Sequence, residues 1–154
     1  MVPEEPPVLP DEPPGPGPAH WSFGTTADVG IAARAGDGSR LLSELAEALV
    51  EVITDRDRVR PRESRPFRVE GLTDEGLVVA FLGELLYWLD QSGWVPHHVE
   101  VHLDPEGTPV AWGRAFGEAL DPARHPVKVG VKAATLHGLV FDRASGRASV
   151  ILDI

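Results

Sequence analysis

The stretch that decides the fold of this chain is its last apolar run, which reads Ser149-Val150-Ile151-Leu152-Asp153-Ile154. Successive side chains of a β-strand point to opposite faces of the sheet. Val150, Leu152 and Ile154 therefore share one face, and Asp153 lies on the other. We expect a core strand that holds the terminal carboxylate beside the carboxylate of Asp153.

The opposite end of the chain has a very different composition. Residues 1–18 contain eight of the fifteen prolines and four acidic residues, with no basic residue. A segment of this kind cannot bury enough apolar surface to fold. The composition predicts a disordered, proline-rich acidic tail over residues 1–18 and a single folded domain over residues 19–154.

Two segments show helical spacing of their apolar residues. The first covers residues 41–53, with Ser39 as its predicted N-cap. The second covers residues 77–89, is capped by Thr73 and ends at Gly93. Because the second segment is apolar almost all round, we expect most of its surface to be buried.

Much of the remaining domain alternates between apolar and polar residues, which is typical of strands. The predicted strands are 21–23, 29–35, 67–70, 99–103, 110–116, 127–137 and 149–154. The fold class that follows is α+β: two helices packed on a mainly antiparallel or mixed β-sheet system of about seven strands.

Composition narrows the possible functions. The net charge of −10 disfavours tight direct binding to nucleic acid, since that affinity depends on lysines and arginines that neutralise phosphates. There is no cysteine, which excludes disulfides and thiolate metal sites. The longest apolar run, residues 77–89, is too short to span a bilayer, and no signal peptide is recognisable. We therefore expect a cytoplasmic protein with no membrane partner.

The strongest candidates for chemistry are carboxylates. Asp153 and the Ile154 carboxylate would lie together at the end of the last strand, and Ca²⁺, Mg²⁺ and Mn²⁺ prefer such oxygen ligands. Asp28 stands at the entrance to another strand and would add a third ligand if the two strands are neighbours. The alternatives are that Asp28 caps a local turn and that Asp153 is a solvated edge residue.

Three other polar residues each have a structural interpretation as well as a functional one. His137 ends the apolar face of its predicted strand and would be a hydrogen-bonded core residue, a ligand or a base. Lys132 would attract a phosphate or an acidic partner, or lie on a solvated face. Glu84 is the only charge within the second apolar helix and needs partners if it is buried.

Two further groups of polar residues have both a functional and a simpler interpretation. Three polar residues at a period of two, His98, Glu100 and His102, have the chemistry of a zinc site, although an exposed polar face is the simpler interpretation. The arginines between residues 56 and 68 alternate with acids, which favours a solvated loop over a docking patch for RNA or an acidic partner.

Several of these segments, in this order, resemble the archease family over residues 20–154. The segments that carry the resemblance are Thr26-Ala27-Asp28-Val29-Gly30, Glu84-Leu85-Leu86-Tyr87, Gly117-Glu118, Asp121-Pro122-Ala123-Arg124-His125, Lys132-Ala133-Ala134-Thr135-Leu136-His137-Gly138-Leu139 and Ile151-Leu152-Asp153-Ile154.

The resemblance implies a function. Archeases are protein cofactors of the RtcB-type RNA ligase, which joins RNA ends in tRNA splicing and RNA repair with GTP and Mn²⁺. They promote guanylylation of the ligase and its multiple turnover and are not enzymes themselves. The resemblance further implies a divalent metal ion (Ca²⁺, Mg²⁺ or Mn²⁺) bound by Asp28, Asp153 and Ile154, with Lys132 and His137 in supporting roles. GTP and RNA would be met only through the ligase.

The chain departs from the family pattern at three positions. Thr25 stands where the family usually has a histidine, Gly24 where an acidic residue is common, and Gly83 where an asparagine is common. Two other functions remain open beside the ligase activator. One is a metal-dependent hydrolase that uses Asp28, Asp153 and His137, and the other is a chaperone-like module.

Overall fold

The computed structural model of the protein describes residues 9–24 and 28–154. Within these ranges two α-helices and eight strands follow one another, with one 3-10 turn at Arg56–Arg58. The elements are β1 (Ala19–Gly24), β2 (Val29–Arg34), α1 (Gly38–Ile53), β3 (Glu63–Glu70), α2 (Asp74–Ser92), β4 (Trp94–Leu103), β5 (Val110–Ala119), β6 (Ala133–Ala134), β7 (Val140–Asp142) and β8 (Arg147–Asp153).

The strands form two sheets. The five-stranded sheet has the order β1-β2-β8-β6, and β7 also pairs with β8. The three-stranded sheet has the order β3-β5-β4. All strand pairs among the described residues are antiparallel, so the predicted α+β class is confirmed and its sheets are antiparallel throughout.

One main core joins the two helices to both sheets. Ile31 of β2 and Leu152 of β8, both fully buried, meet apolar residues of α1 and α2. Phe67 and Val99 contribute to the same core from the three-stranded sheet. The predicted core strand at the end of the chain is thus confirmed, and its apolar face points to the helices.

The opposite face of the five-stranded sheet has a small apolar cluster of its own. Trp21 and Phe23 of β1 pack there with Ala32 of β2, and Leu9 covers part of it. The side chain of Arg34 binds backbone oxygens of the segment before β1, including that of Gly17 at 2.9 Å. These contacts place residues 9–18 beside the sheet. The division into a tail of residues 1–18 and a domain of residues 19–154 stays a prediction, and residues 1–8 lie outside the described residues.

The helix caps agree with the predictions for α2 and differ from them for α1. Thr73 caps α2 by accepting a hydrogen bond from the Gly76 N–H, and Gly93 ends the helix in the left-handed conformation, both as expected. The prediction that Ser39 caps α1 was wrong, because Asp37 accepts the hydrogen bond from the Arg40 N–H. The Ser39 hydroxyl instead accepts from the Leu103 N–H, tying α1 to β4.

The long strand predicted over residues 127–137 was also wrong. Only Ala133 and Ala134 form a ladder there, and residues 127–132 reach it without strand pairing. Val129 and Val131 pack against the main core, so their alternation reflects packing on the helices and not a strand ladder. No helix in the described part of the chain is long and apolar enough to cross a membrane.

Candidate metal centre

The predicted carboxylates meet at one end of the five-stranded sheet. The antiparallel ladder between β2 and β8 begins at the pair Val29–Leu152. The next position on each strand is Asp28 on one side and Asp153 on the other, so continuing the register sets the two aspartates opposite each other. The prediction that the strand after Asp28 neighbours the last strand is therefore confirmed.

A third strand brings Lys132 to the same place. β6 pairs with β8 so that Ala133 lies opposite Asp153. The Lys132 N–H donates to the Asp153 carbonyl oxygen at 2.7 Å, which ties the lysine backbone beside the aspartate. Residues from three consecutive strands of the sheet, β2, β8 and β6, thus surround this end.

The sheet end is open to solvent. Asp153, Ile154 and Lys132 are exposed, and Asp28 is half-buried. Oxygen atoms of two aspartates and of the Ile154 main chain would form a ligand set of oxygens alone, which suits Ca²⁺, Mg²⁺ or Mn²⁺ better than softer metals. The donor set therefore fits the divalent cation that the resemblance implies, while its metal binding stays a prediction.

Packing on the outer face of the sheet fixes the hairpin that carries Asp28. The Phe23 ring lies directly over Gly30, where an added Cβ would come within 2.2 Å of a ring atom. A side chain at Gly30 would displace the Phe23 ring from its place on the sheet. The Gly30 of the Thr-Ala-Asp-Val-Gly segment is thus explained by packing. Thr25, one of the departures from the family pattern, lies outside the described residues.

His137 is not in the ladder. Thr135 donates to the Ile151 carbonyl oxygen from both its N–H and its hydroxyl. Thr135 therefore lies beside Ile151, two residues before Asp153 on β8. His137 follows in an exposed turn between β6 and β7. Its supporting role at the metal centre stays a prediction.

An open groove lies beside this sheet end, between α2 and the chain that leads into β6. Its lining residues include Gly83 and Tyr87 of α2 together with Lys132. Tyr87 is 59% exposed, and Leu136 after β6 is 62% exposed. The helix segment and the lysine-to-histidine segment, which are far apart in sequence, therefore border one surface. Glu84 of α2 is half-buried, so its charge keeps access to solvent.

The segments around Glu118 and His125 form a buried network instead of a site. Glu118 accepts hydrogen bonds from the Arg60 N–H at 2.7 Å and from Arg124 at 2.5 Å. His125 is fully buried; its Nδ1 accepts from the Asp121 N–H, so Nε2 faces Glu118 Oε2 at 3.1 Å as a donor. Burial alone would raise the pKa of Glu118, but the hydrogen bonds from Arg60 and His125 and the charge of Arg124 lower it.

The polar face of β4 and the arginine-rich connection show what surrounds the other two candidate groups. His98 stacks on Phe116 with ring centroids 5.0 Å apart, and His102 stacks on Trp112 at 6.1 Å, so each imidazole lies against an aromatic ring of β5. In the connection, Arg58 pairs with Asp55. The exposure of Glu100 and His102 agrees with a solvated polar face. The prediction of a solvated loop over residues 56–68 was wrong in part, because Glu63–Glu70 forms β3 and Arg56 donates to Glu51 of α1.

One cluster of possible metal ligands was missed by the sequence analysis. Among the described residues, the ligand atoms of His20, Glu44 and Glu47 all lie within 4.8 Å of one another. His20 is on β1 and both glutamates are on α1. The spacing of Glu44, Glu47 and Glu51 along one face of a helix is a visible signal, but nothing in the sequence pairs that face with His20.

The architecture and the carboxylate-bearing sheet end define a small α+β protein with a candidate divalent-cation centre at the ends of adjacent strands. Comparison with known proteins supplies the family. Residues 21–154 match the model of the Archease protein family. This chain belongs to the Archease family.

Individual proteins similar to this chain support the same family. Protein archease of Pyrococcus furiosus is 34% identical over 119 residues, which cover 77% of this chain and 84% of that protein. Protein archease of Methanopyrus kandleri is 35% identical over 132 residues, or 84% of this chain and 94% of that protein. The solution structure of Methanobacterium thermoautotrophicum protein 1598 is 26% identical and superposes with a TM-score of 0.72, covering 88% of this chain and 99% of that one.

Proposed function

We propose that this protein is a non-enzymatic, metal-binding activator of an RtcB-type RNA ligase in the cytoplasm. It would promote the GTP-dependent guanylylation of the ligase and its multiple turnover in tRNA splicing and RNA repair. The observation that carries the proposal is the ladder register, which sets Asp28 opposite Asp153 at an exposed sheet end in a chain of the Archease family.

The placement of the carboxylates supports a role toward a partner. Because Asp153 and Ile154 are exposed, a cation bound there through Asp28, Asp153 and Ile154 main-chain oxygens would be reachable by a second protein. Such a cation supplies positive charge that can balance the phosphates of GTP. Lys132, held beside Asp153 by its backbone, adds a further positive charge at the same place.

The charge of the chain supports an indirect relation to RNA. With a net charge of −10, this protein is poorly suited to neutralising phosphates itself. In the proposal the ligase binds the RNA and the nucleotide, and the groove beside Tyr87 and Lys132 belongs to the surface that the ligase contacts. Relatives named archease lend no support to the alternatives of a hydrolase or a chaperone-like module.

The test is ligase turnover with and without this protein at a fixed divalent-metal concentration. Asp28→Asn and Asp153→Asn each remove one charge and keep the side-chain shape. Both variants should lose stimulation of guanylylation and of multiple turnover. The matched control is Asp57→Asn, which removes an exposed carboxylate of the 3-10 turn and should leave stimulation unchanged.

The outcomes separate the parts of the proposal. If wild type stimulates the ligase and both site variants stimulate it equally well, the metal centre is refuted. If wild type gives no stimulation of a cognate RtcB-type ligase, the activator function is refuted. Circular dichroism of each variant shows whether a loss of stimulation comes from unfolding.

A further inference from the structure

A second cluster of ligand atoms lies between β1 and α1, away from the sheet end described above. Trp21 and Phe23 point to the outer face of the sheet, so His20 points inward, toward α1. There it meets glutamates on successive turns of the helix, Glu44, Glu47 and Glu51.

Glu51 faces one ring nitrogen of His20, and Glu44 and Glu47 face the other. Nε2 lies 3.0 Å from Glu51 Oε2. Nδ1 lies 2.6 Å from Glu44 Oε2 and 3.5 Å from Glu47 Oε2. The cluster is well shielded, since the Glu44 side chain is 5% exposed and those of His20 and Glu47 are 14% and 16% exposed.

Two arginines hold the oxygens that face away from His20. Arg40 donates to Glu44 Oε1 from Nε and Nη2, each at 2.9 Å. Arg56 donates from Nε to Glu51 Oε1 at 3.0 Å and has Nη1 3.7 Å from Glu47 Oε1. Each glutamate therefore gives one oxygen to an arginine and turns the other toward the imidazole. Partners of this kind orient the ligands of protein-bound metals.

Three acceptor atoms of this cluster, one nitrogen and two carboxylate oxygens, can face a common position. When the Nε2–H of His20 donates to Glu51, the lone pair of Nδ1 faces the Oε2 atoms of Glu44 and Glu47. A proton on Nδ1 can satisfy Glu44 Oε2 at 2.6 Å, and a divalent cation that replaces this proton would be bound by the Nδ1 lone pair and by both carboxylate oxygens. Donors of a tetrahedral zinc site lie about 3.3 Å apart, given bonds of about 2.0–2.1 Å, so small shifts would bring this set to that geometry.

We propose that His20 Nδ1, Glu44 Oε2 and Glu47 Oε2 form a transition-metal site, with Zn²⁺ as the preferred ion. Glu51 sets the tautomer of His20, and Arg40 and Arg56 orient the glutamates. One imidazole nitrogen with carboxylate oxygens suits Zn²⁺ better than Ca²⁺ or Mg²⁺, which favour oxygen ligands alone. The bound metal would fasten β1 to α1.

This site is distinct from the centre of the proposed function. His20 pairs with Ala33 in the β1–β2 ladder, whereas Asp28 precedes the opposite end of β2. Ala33 is five positions after Asp28, a distance of about 16 Å at about 3.3 Å per residue. A metal at His20 therefore does not share ligands with Asp28 or Asp153.

The test uses the full chain, stripped of metal by a chelator and titrated with ZnCl₂, with CaCl₂ as the contrasting ion. Isothermal titration calorimetry should give one zinc per chain, and zinc should raise the melting temperature with concentration, as expected for a ligand of the native state. Co²⁺ gives a direct readout, because its visible absorption reports nitrogen and oxygen ligands in a tetrahedral arrangement.

Three variants locate the ion. Glu47→Gln and His20→Asn should each weaken zinc binding by at least about tenfold and remove the Co²⁺ absorption. Asp153→Asn should keep both, because it alters only the other centre. Metal-free circular dichroism shows whether the two cluster variants are folded, and Glu47→Gln, which keeps the side-chain size, serves if His20→Asn unfolds.

Two results would overturn the proposal. One is the absence of stoichiometric zinc binding by the wild-type chain. The other is zinc binding that Glu47→Gln and His20→Asn both leave unchanged, which would assign the ion to another group such as the adjacent His97 and His98. Ligase stimulation does not enter this test, so its failure is independent of a failure of the proposed activator function.

Discussion

Replacing Glu118 by glutamine probes the buried network that joins β5 to the 3-10 turn and to residues 121–125. The change keeps the size of the side chain and removes its charge. With the amide oxygen in the place of Oε2, the variant still accepts from the Arg60 N–H and from His125 but without the charge, and its NH2 group meets the Arg124 guanidinium donor to donor. All three contacts converge on a carboxylate that is 3% exposed.

The magnitude follows from how buried each partner is. A hydrogen bond to a charged group contributes about 1.5–3 kcal/mol. This range is assigned to the buried contacts of Glu118 with Arg60 and His125 taken together. The Arg124 side chain is 31% exposed, so its ion pair is discounted to about 0.5–1 kcal/mol. The free energy of unfolding should fall by about 2–4 kcal/mol in total. At roughly 3–4 °C per kcal/mol for a domain of this size, the melting temperature should fall by about 6–16 °C.

Urea unfolding followed by circular dichroism measures this difference. The control is Glu100→Gln on the exposed face of β4, which should change the free energy of unfolding by less than about 0.5 kcal/mol. If Glu118→Gln also stays within that range, the network contributes no measurable stability to the fold.

The pH dependence of the stability of wild type and of Glu118→Gln gives a second test of this network. The pKa of Glu118 in the folded protein is below its usual value, because the contacts with Arg60, His125 and Arg124 outweigh burial. Its contribution is therefore complete above the unfolded-state pKa and is lost as the pH falls through the folded-state pKa. The stability difference between wild type and Glu118→Gln should shrink toward zero over that acidic range, and a difference independent of pH contradicts the assignment.

Three other substitutions test the packing and the helix capping of the fold. Gly30→Ala should lower the free energy of unfolding by about 1–3 kcal/mol because its Cβ meets the Phe23 ring. The control, Gly24→Ala, lies in open space on the same hairpin and should be near neutral. Equal effects of the two substitutions in thermal melts would contradict the role of this packing. Leu152→Ala should cost about 2–5 kcal/mol through the cavity it leaves in the fully buried core, and a loss below 1 kcal/mol in urea titration would refute that. Thr73→Ala should cost about 1 kcal/mol through the lost cap of α2, measured by the same titration, and no change would show that the cap is dispensable.

Sequence periodicity was a good guide where one face of an element is buried. The last strand and α2 were recognised because burial demands apolar residues at the period of the element. The same reasoning failed at residues 127–132, where Val129 and Val131 alternate because they pack on the helices without a neighbouring strand. Alternation reports which side chains are buried, and it does not report whether the backbone has a partner.

The candidate centre was only half accessible to sequence reasoning. Asp28 and Asp153 were singled out by their residue type and by their positions at strand ends. Their proximity depends on the β2–β8 ladder, which joins parts of the chain more than a hundred residues apart. The cluster of His20 with Glu44 and Glu47 was not foreseen at all, since it requires the packing of α1 beside the first strand.

The sequence by itself determined the α+β class, the two helices with their apolar faces and the carboxylates that can bind a hard cation, because these follow from local periodicity and residue chemistry. The tertiary structure alone decided which side chains meet. It set Asp28 opposite Asp153, separated His20 from that centre and buried Glu118 against His125. The physical reason is that strand order and helix packing are chosen by the burial of apolar surface across the whole chain, which no short stretch of residues encodes.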